Sequence, residues 1–204
     1  MGRKITILGM GPTAHERKID IARYCEGEIW SLNNAYVFFE GQRFDRFFEL
    51  HKYDYLKTWN PGHLFCHFDQ LNKLQCPVYV TEPLPKILNQ VNYDPVEVFT
   101  HHDCNYFLGS PSMMLALAIY EHDKGDTVDE IRVWGIDTSD PSHSQQRSSW
   151  AFWIGRAMDR GIQMTGSACE FMAEYEKDDG LRGLREAIGD QISINKSTDT
   201  GELT

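Results

Sequence analysis

The sequence of 204 residues lacks any long apolar run, any CxxC pair and any visible internal repeat. A membrane-spanning helix needs about 20 consecutive apolar residues, so no membrane span is predicted. The five cysteines are odd in number, and the N-terminus has no secretory-signal pattern. Both features favour a reducing, cytoplasmic location with no disulfide framework.

The chain is also poor in basic residues relative to acidic ones. Lys and Arg number 20 against 30 Asp and Glu, a formal charge of −10. Such a charge repels polyanions at long range. It disfavours a duplex nucleic acid as partner, although a local basic patch would still permit one. The sequence also permits assembly into a homo-oligomer.

Segments with strand and helix patterns alternate along the chain. Short apolar runs predict strands at 5–8, 28–34, 43–51, 77–83, 130–137 and 162–166, and periodic patterns predict helices at 13–24, 60–74, 111–123 and 147–160. Alternation of this kind is typical of parallel strands joined by helical crossovers. We therefore expect a Rossmann-like, doubly wound α/β domain over 1–190, with a mostly parallel sheet and helices on both faces. The polar segment 191–204 is predicted to be a mobile tail.

Polar residues and glycines cluster where the predicted strands end or the predicted helices begin. Ligands of doubly wound sheets bind beyond the carboxyl ends of the strands, where the strand order reverses. We therefore predict a ligand site formed by Gly9, Gly11, Pro12, Thr13, Asn33, Asn34, Glu49, His51, Ser110, Ser112 and Asp137.

The first turn, GMGPT, joins a strand to a helix. Gly9 and Gly11 would let the backbone approach a phosphate, and a helix N-terminus favours an anion. The third glycine of a dinucleotide fingerprint is replaced by Ala14, and Pro12 lacks an N–H group. No acidic ribose partner follows the second strand, so a standard NAD site is disfavoured. The alternative is a tight turn without a ligand.

Each remaining candidate has a functional and a structural interpretation. Asn33 and Asn34 could read a base edge or a sugar hydroxyl, or one could occupy a left-handed turn. Thr13, Ser110 or Ser112 could cap helices, and the helix after Ser110 could face an anion. Asp137 could contact a ribose or a metal, or could cap a turn.

Histidines and cysteines form two clusters that could hold zinc: His63, Cys66 and His67 on one predicted helix, and His101, His102 and Cys104. Nothing in the sequence fixes the distance between them, so we predict no structural zinc. His143 lies apart from both clusters in the polar segment SDPSHSQQR. The ordinary pKa of a histidine suits a general base, and a solvent-exposed loop histidine is the alternative.

The ordered motifs ILGMGPT, SLNNAY, GSPSMMLALAIY, RVWGID and HSQQRSSWAFWIGRAMDRGIQM resemble the bacterial lipooligosaccharide sialyltransferases. They also resemble the motility-accessory glycosyltransferases and the archaeal hydroxymethylpterin diphosphokinases of the same superfamily. The likeness spans most of residues 4–165. It implies a Rossmann-like sheet that binds a nucleotide.

The resemblance also implies roles for individual residues. Gly9, Gly11, Pro12, Thr13 and Asn33 or Asn34 would hold the nucleotide, with Ser110 at the start of the long apolar helix. His143, followed by Ser144, matches the histidine that acts as general base. The sequence departs from the family at Met10 and at Pro111. It also has no tyrosine in the stretch TSDPSHSQQR, where the family places two that hold the leaving phosphate.

We therefore expect a metal-independent transferase that passes a glycosyl group from a nucleotide-linked donor to an acceptor hydroxyl of unknown identity. His143 would be its catalytic base, with Glu49 or His51 as acceptor-side or alternative catalytic residues. One alternative is a Mg²⁺-dependent diphosphokinase of the pterin type, with Asp137 or Glu49 as ligands. Another is a non-catalytic nucleotide-binding protein on the same fold. No cofactor is expected beyond the nucleotide-linked substrate.

Overall fold

The computed structural model describes residues 2–15, 25–58, 61–137 and 143–167, which lie within one compact unit. The described strands are Arg3–Leu8 (β1), Glu28–Leu32 (β2), Arg46–Phe48 (β3), Val78–Val80 (β4), Gln90–Asn92 (β5), Val128–Trp134 (β6) and Gln163–Gly166 (β7). The described helices are Pro12–His15 (α1), Tyr53–Leu56 (α2), Pro61–Lys73 (α3), Pro95–His102 (α4), Ser110–Asp123 (α5) and Arg147–Asp159 (α6).

The seven strands form one sheet in the order β5-β4-β3-β2-β1-β6-β7, and all six neighbouring pairs are parallel. The chain winds outward from β1 through β2, β3, β4 and β5, and β6 then returns to the other side of β1. The strand order therefore reverses between β1 and β6. This topology confirms the predicted doubly wound α/β sheet.

Alternation along β2 and β3 gives the sheet two apolar faces. Ile29 and Phe47 belong to a buried core that includes Leu64, Phe68 and Leu71 of α3. Trp30 and Phe48 alternate with them, and their rings pack against each other at 5.4 Å. Helix α5 adds a run of buried residues from Met114 to Ile119.

Ion pairs close the amino edge of the sheet, where the strands begin. Arg3 on β1 pairs with Glu28 on β2 at 2.6 Å and with Glu121 of α5 at 2.8 Å. Arg46 on β3 also pairs with Glu121, and its guanidinium lies 4.5 Å from the centre of the Trp30 ring. These contacts tie three strands to α5 at the edge opposite the predicted ligand site.

Several predicted elements differ in extent from the described ones. The strand predicted at 43–51 is β3 over Arg46–Phe48 only, and the side chains of Glu49 and His51 beyond it bond to each other. The sequence missed α2, β5 and α4. The predicted helix 13–24 is described only as far as His15, and the predicted boundary at residue 190 lies outside the described residues. No helix within the described ranges is both long and apolar enough to cross a bilayer.

Candidate functional site at the carboxyl edge of the sheet

A cleft of about 750 Å³ lies at the carboxyl ends of β1, β2, β3 and β6. Its walls come from the segments that follow those strands, from the start of α5 and from the turn before α6. Among the predicted site residues, the lining includes Gly9, Gly11, Pro12, Asn33, His51, Ser110, Asp137 and His143. Residues from distant parts of the sequence therefore meet at the strand-order reversal.

The glycines of the first turn are explained by close contact with the segment after β6. A Cβ atom on Gly9 would lie 2.2 Å from the carbonyl oxygen of Gly135, and one on Gly11 would lie 2.2 Å from Oδ2 of Asp137. The amides of Gly9 and Gly11 donate to the carbonyls of Trp134 and Gly135. These two amides are therefore already bonded within the chain, and any ligand contact from this turn would have to come from other groups.

Asp137 holds the first turn through both carboxylate oxygens. Oδ2 accepts from the Thr13 amide at 2.8 Å, and Oδ1 accepts from the Thr13 hydroxyl at 2.6 Å. The same hydroxyl accepts from the amide of Gly135 at 2.8 Å. Thr13 lies inside α1, which begins at Pro12, so its predicted role as helix cap is wrong. Thr13 instead joins the ends of β1 and β6.

Asn33 and Asn34 follow β2 and differ in their relation to the cleft. Asn33 lies in its wall with a left-handed backbone, φ = 54°, and its amide donates to the carbonyl of Phe48. Oδ1 of each asparagine is buried and has no hydrogen-bond partner among the described residues. A buried acceptor without a partner costs free energy unless a ligand supplies the donor. Asn33 thus has the left-handed backbone of the structural interpretation, and its contact with a base or a sugar stays a prediction.

Helix α5 directs its N-terminus at the cleft, and Gly109, Ser110 and Pro111 line it. The cap residue is Gly109, and no side chain caps the helix, so the predicted capping by Ser110 or Ser112 is wrong. Ser112 is buried and bonds to the hydroxyl of Ser149 on α6 at 2.9 Å. Its role is to join two helices. The free first turn of α5 carries a partial positive charge.

A chain of hydrogen bonds runs from the interior to the cleft after β3. Glu49, fully buried, accepts from His51 Nδ1 at 2.6 Å through Oε1 and bonds to His67 Nε2 at 2.8 Å through Oε2. His67 Nδ1 bonds to the hydroxyl of Tyr36 at 2.7 Å. His51 lies in the cleft wall, where its ring stacks on Tyr55 with centroids 4.9 Å apart. The sequence predicted Glu49 and His51 but missed His67 and Tyr36.

The bonds around Glu49 control its ionisation. Burial favours the protonated carboxyl, but hydrogen bonds and charge interactions with His51 and His67 outweigh burial and hold the pKa of Glu49 below its ordinary range. Burial, together with the nearby Glu49 charge, raises the pKa of Tyr36 to about 12. The series of hydrogen bonds therefore has a carboxylate at its centre, Glu49, and a protonated phenol at its inner end, Tyr36.

His143 is exposed at the cleft rim, where it precedes the 3₁₀ turn Ser144–Gln146. Gln146, on that turn, lines the cleft and lies against Gly109, whose Cβ would be 2.4 Å from its Oε1. No sequence pattern selected Gln146, although its segment, HSQQR, contains the predicted base. Four predicted residues are outside the lining: Thr13, Asn34, Glu49 and Ser112.

The histidine clusters do not combine into the zinc site considered from the sequence. His67 bonds to Glu49 and Tyr36, while His63 and Cys66 are exposed on the same helix. Within the described ranges, the potential metal ligands that converge are His101, His102 and Asp123. Asp123 already pairs with His101 at 2.9 Å and with Arg160 at 2.8 Å. The Arg160 guanidinium places a positive charge where a cation would have to bind.

No family model and no curated protein matches the chain. A point mutant of the α-2,3/8-sialyltransferase CstII is similar to it, with a TM-score of 0.52 and 13% identity over 80% of this chain and 81% of that one. Sialyltransferase CST-II, in complex with a trisaccharide acceptor and CMP, gives a TM-score of 0.50 and 15% identity over 80% of each chain. At these identities the comparison establishes a shared fold.

Proposed function

We propose that the chain is a transferase that binds a nucleotide-linked sugar in the carboxyl-edge cleft and passes the glycosyl group to an acceptor hydroxyl. The observation that carries the proposal is the position of the cleft at the strand-order reversal, the place where doubly wound sheets bind nucleotides. The shared fold with sialyltransferases, one of them in complex with CMP and an acceptor, supports the same assignment.

The cleft wall would recognise a nucleotide through polar groups and without a cationic side chain. Its described lining contains no Lys or Arg, and its one carboxylate, Asp137, bonds to Thr13. The phosphate charge would therefore be balanced by the N-terminus of α5, where the amides of Ser110 and Ser112 precede the first intrahelical bond, from Met113 to Gly109. Asn33 offers a buried acceptor, which complements an exocyclic amine of a base or a sugar hydroxyl. Met10, Leu32 and Met113 supply apolar contact for a base or a sugar ring.

The reaction would form a bond between the acceptor oxygen and the anomeric carbon. The bond from that carbon to the phosphate oxygen breaks, and its electron pair leaves with the nucleotide. A base must take the proton of the acceptor hydroxyl. His143 and His51 both line the cleft, and the family resemblance assigns the role to His143.

The Mg²⁺-dependent alternative is less well supported by the described contacts. Its ligands would be Asp137 and Glu49. Both oxygens of Asp137 bond to Thr13, and both oxygens of Glu49 bond to histidines. Coordination of Mg²⁺ by either residue would compete with bonds that hold the first turn or orient His51.

A thermal-shift panel tests the proposal, with CMP, UDP, GDP, ATP and NAD each measured with and without Mg²⁺. A ligand at a hundredfold excess over its Kd stabilises the folded state by about 2.7 kcal/mol. We expect stabilisation by CMP, UDP or GDP without metal, and release of that nucleotide from the corresponding nucleotide-sugar. Stabilisation by ATP only with Mg²⁺ would favour the diphosphokinase. Binding without any nucleotide release would favour the non-catalytic alternative, and no binding would refute the proposal.

A further inference from the structure

We infer that His51, oriented by the buried Glu49, is the catalytic base that takes the proton from the acceptor hydroxyl. The inference rests on the proposed function and assigns a role within the same cleft. It differs from the family resemblance, which places the base at His143. The residues that carry it are the linked set Tyr36, His67, Glu49 and His51.

Geometry first fixes the orientation of the His51 ring. Oε1 of Glu49 accepts from both the backbone amide of His51, at 3.2 Å, and its ring Nδ1, at 2.6 Å. The ring also stacks on Tyr55 with an interplanar angle of 24°. Two hydrogen bonds to one carboxylate oxygen and an aromatic contact together hold the ring in one orientation. Its Nε2 lies on the opposite edge of the ring from the buried carboxylate.

The hydrogen-bond partners then assign a tautomer to each ring. An ionised carboxylate can only accept, so His51 must carry its proton on Nδ1 and His67 must carry its proton on Nε2. His67 Nδ1 is left as an acceptor, and the hydroxyl of Tyr36 donates to it. These bonds use both ring nitrogens of His67 and Nδ1 of His51. The other ring nitrogen of His51, Nε2, is the atom that would take the proton of the acceptor.

The carboxylate also stabilises the product of the proton transfer. When Nε2 takes the acceptor proton, His51 becomes an imidazolium beside Glu49. Glu49 is fully buried, so the attraction between the two charges is weakly screened by water. His67 donates to the second oxygen of Glu49 and holds it in place from the other side. Glu49 and His67 are therefore positioning residues, and His51 is the catalytic residue.

His51 lines the cleft from the segment after β3. The N-terminus of α5, which would face the phosphate, lines the cleft from a different element. A base must act on the acceptor and not on the leaving phosphate. In the balanced step, the hydroxyl proton moves to His51 Nε2, the oxygen bonds to the anomeric carbon, and the nucleotide leaves with the electron pair of its phosphate oxygen.

The experiment measures donor affinity and the rate of nucleotide release for each protein. The probe is the nucleotide-sugar that the panel selects, with water as acceptor. We expect His51→Ala and Glu49→Gln to lower kcat by about 10²–10⁴-fold with a nearly unchanged Kd for the donor. His63→Ala is the matched control, because His63 is an exposed histidine on α3 outside the cleft. It should leave both quantities as in the unmodified chain.

A second readout does not depend on turnover. Nitrogen-15 NMR of the unmodified protein should show His51 protonated on Nδ1, and Glu49→Gln should change that tautomer distribution. His51 protonated on Nε2 in the unmodified protein would overturn the inference, as would a full rate in His51→Ala. A loss in His143→Ala that equals or exceeds the loss in His51→Ala would assign the base to His143. If no nucleotide-sugar binds, the proposed function fails, and the inference fails with it.

Discussion

Asn33 combines a left-handed backbone with a buried acceptor oxygen in the wall of the cleft. Asparagine adopts that conformation readily, whereas an unpartnered buried oxygen costs free energy. The unpartnered oxygen lies at the end of β2, beside the reversal of strand order. A cost of this kind is tolerated where a ligand offsets it. We therefore propose that Asn33 contacts the ligand.

Replacement of Asn33 by glycine tests that interpretation at the residue scale. Glycine adopts the left-handed conformation without strain, so Asn33→Gly should fold normally while it removes the acceptor. We expect nucleotide affinity to fall by roughly 1 kcal/mol, about fivefold in Kd, as measured by titration calorimetry. Lys86→Gly is the matched control, because Lys86 is also left-handed, φ = 71°, and lies outside the cleft lining. Equal affinity in both variants would remove Asn33 from the site.

Glu49 predicts a pH dependence of stability at the same scale. Because the folded-state pKa of Glu49 lies below its ordinary value of 4.5, the carboxylate stabilises the fold fully above that value. This contribution is lost as the pH falls through the lower folded-state pKa. The groups that face it are His51, His67 and, through His67, Tyr36. Urea unfolding of the unmodified chain and of Glu49→Gln should therefore give a stability difference that shrinks as the pH falls below 4.5. A constant difference between about pH 7 and about pH 3 would contradict the assignment.

At the scale of elements, the first turn joins β1 to the segment after β6. The sequence suggested that its glycines admit a phosphate, whereas the described contacts show that they admit Gly135 and Asp137. The residue types of the turn do not distinguish a glycine that approaches a phosphate from one that packs against a neighbouring segment, because either requires a glycine directly after the strand. The distinction depends on which strand lies beside β1, and that is a property of the sheet order.

The same substitution at two glycines should therefore have opposite effects. Gly9→Ala places a methyl group against the backbone of Gly135, and we expect a loss of about 1–3 kcal/mol in the free energy of unfolding. Gly155 lies inside α6, and a methyl group added there would have no described neighbour within 4 Å. Gly155→Ala should raise the free energy of unfolding by about 0.5–1 kcal/mol. Chemical denaturation measures both. Unchanged stability in Gly9→Ala would show that the contact with Gly135 does not constrain the turn.

Among the elements that the sequence analysis did not predict, α4 has a clear local sequence pattern and β5 has none. Helix α4 begins at Pro95 and is capped by Asp94, whose side chain accepts from the amides of Val96 and Glu97. Asp before Pro is a recognised helix start, so α4 could have been predicted. Strand β5 has three residues, of which only Val91 is apolar, and it pairs with β4. No local pattern identifies such a strand.

At the scale of the whole molecule, the alternation of strand and helix patterns was sufficient to predict the parallel sheet and the edge where polar residues meet. Pairing between side chains was not predictable in the same way. His67 contributes to the site from the middle of α3, where the sequence showed it as part of a zinc-like spacing with His63 and Cys66. Its actual partners, Glu49 and Tyr36, lie 18 and 31 positions away. Only the packing of α3 on the sheet brings them together.

The two edges of the sheet differ, with ion pairs at the amino edge and the cleft at the carboxyl edge. The amino edge is closed by contacts among Arg3, Glu28, Arg46 and Glu121, whereas the carboxyl edge retains an open volume between the strand ends. The central claim is that a nucleotide occupies this open edge. Binding alone would not establish it, because a nucleotide could bind elsewhere on the chain.

An NMR titration of ¹⁵N-labelled protein with the nucleotide that gives the largest thermal shift tests the claim most directly. We expect the amide resonances of Met10, Asn33, Ser110 and Asp137 to move together with one dissociation constant. Those of Gln42, Gln70 and Gln75, which line a separate pocket of about 390 Å³, should stay in place. Shifts centred on that second pocket, or no shifts with any nucleotide of the panel, would contradict it.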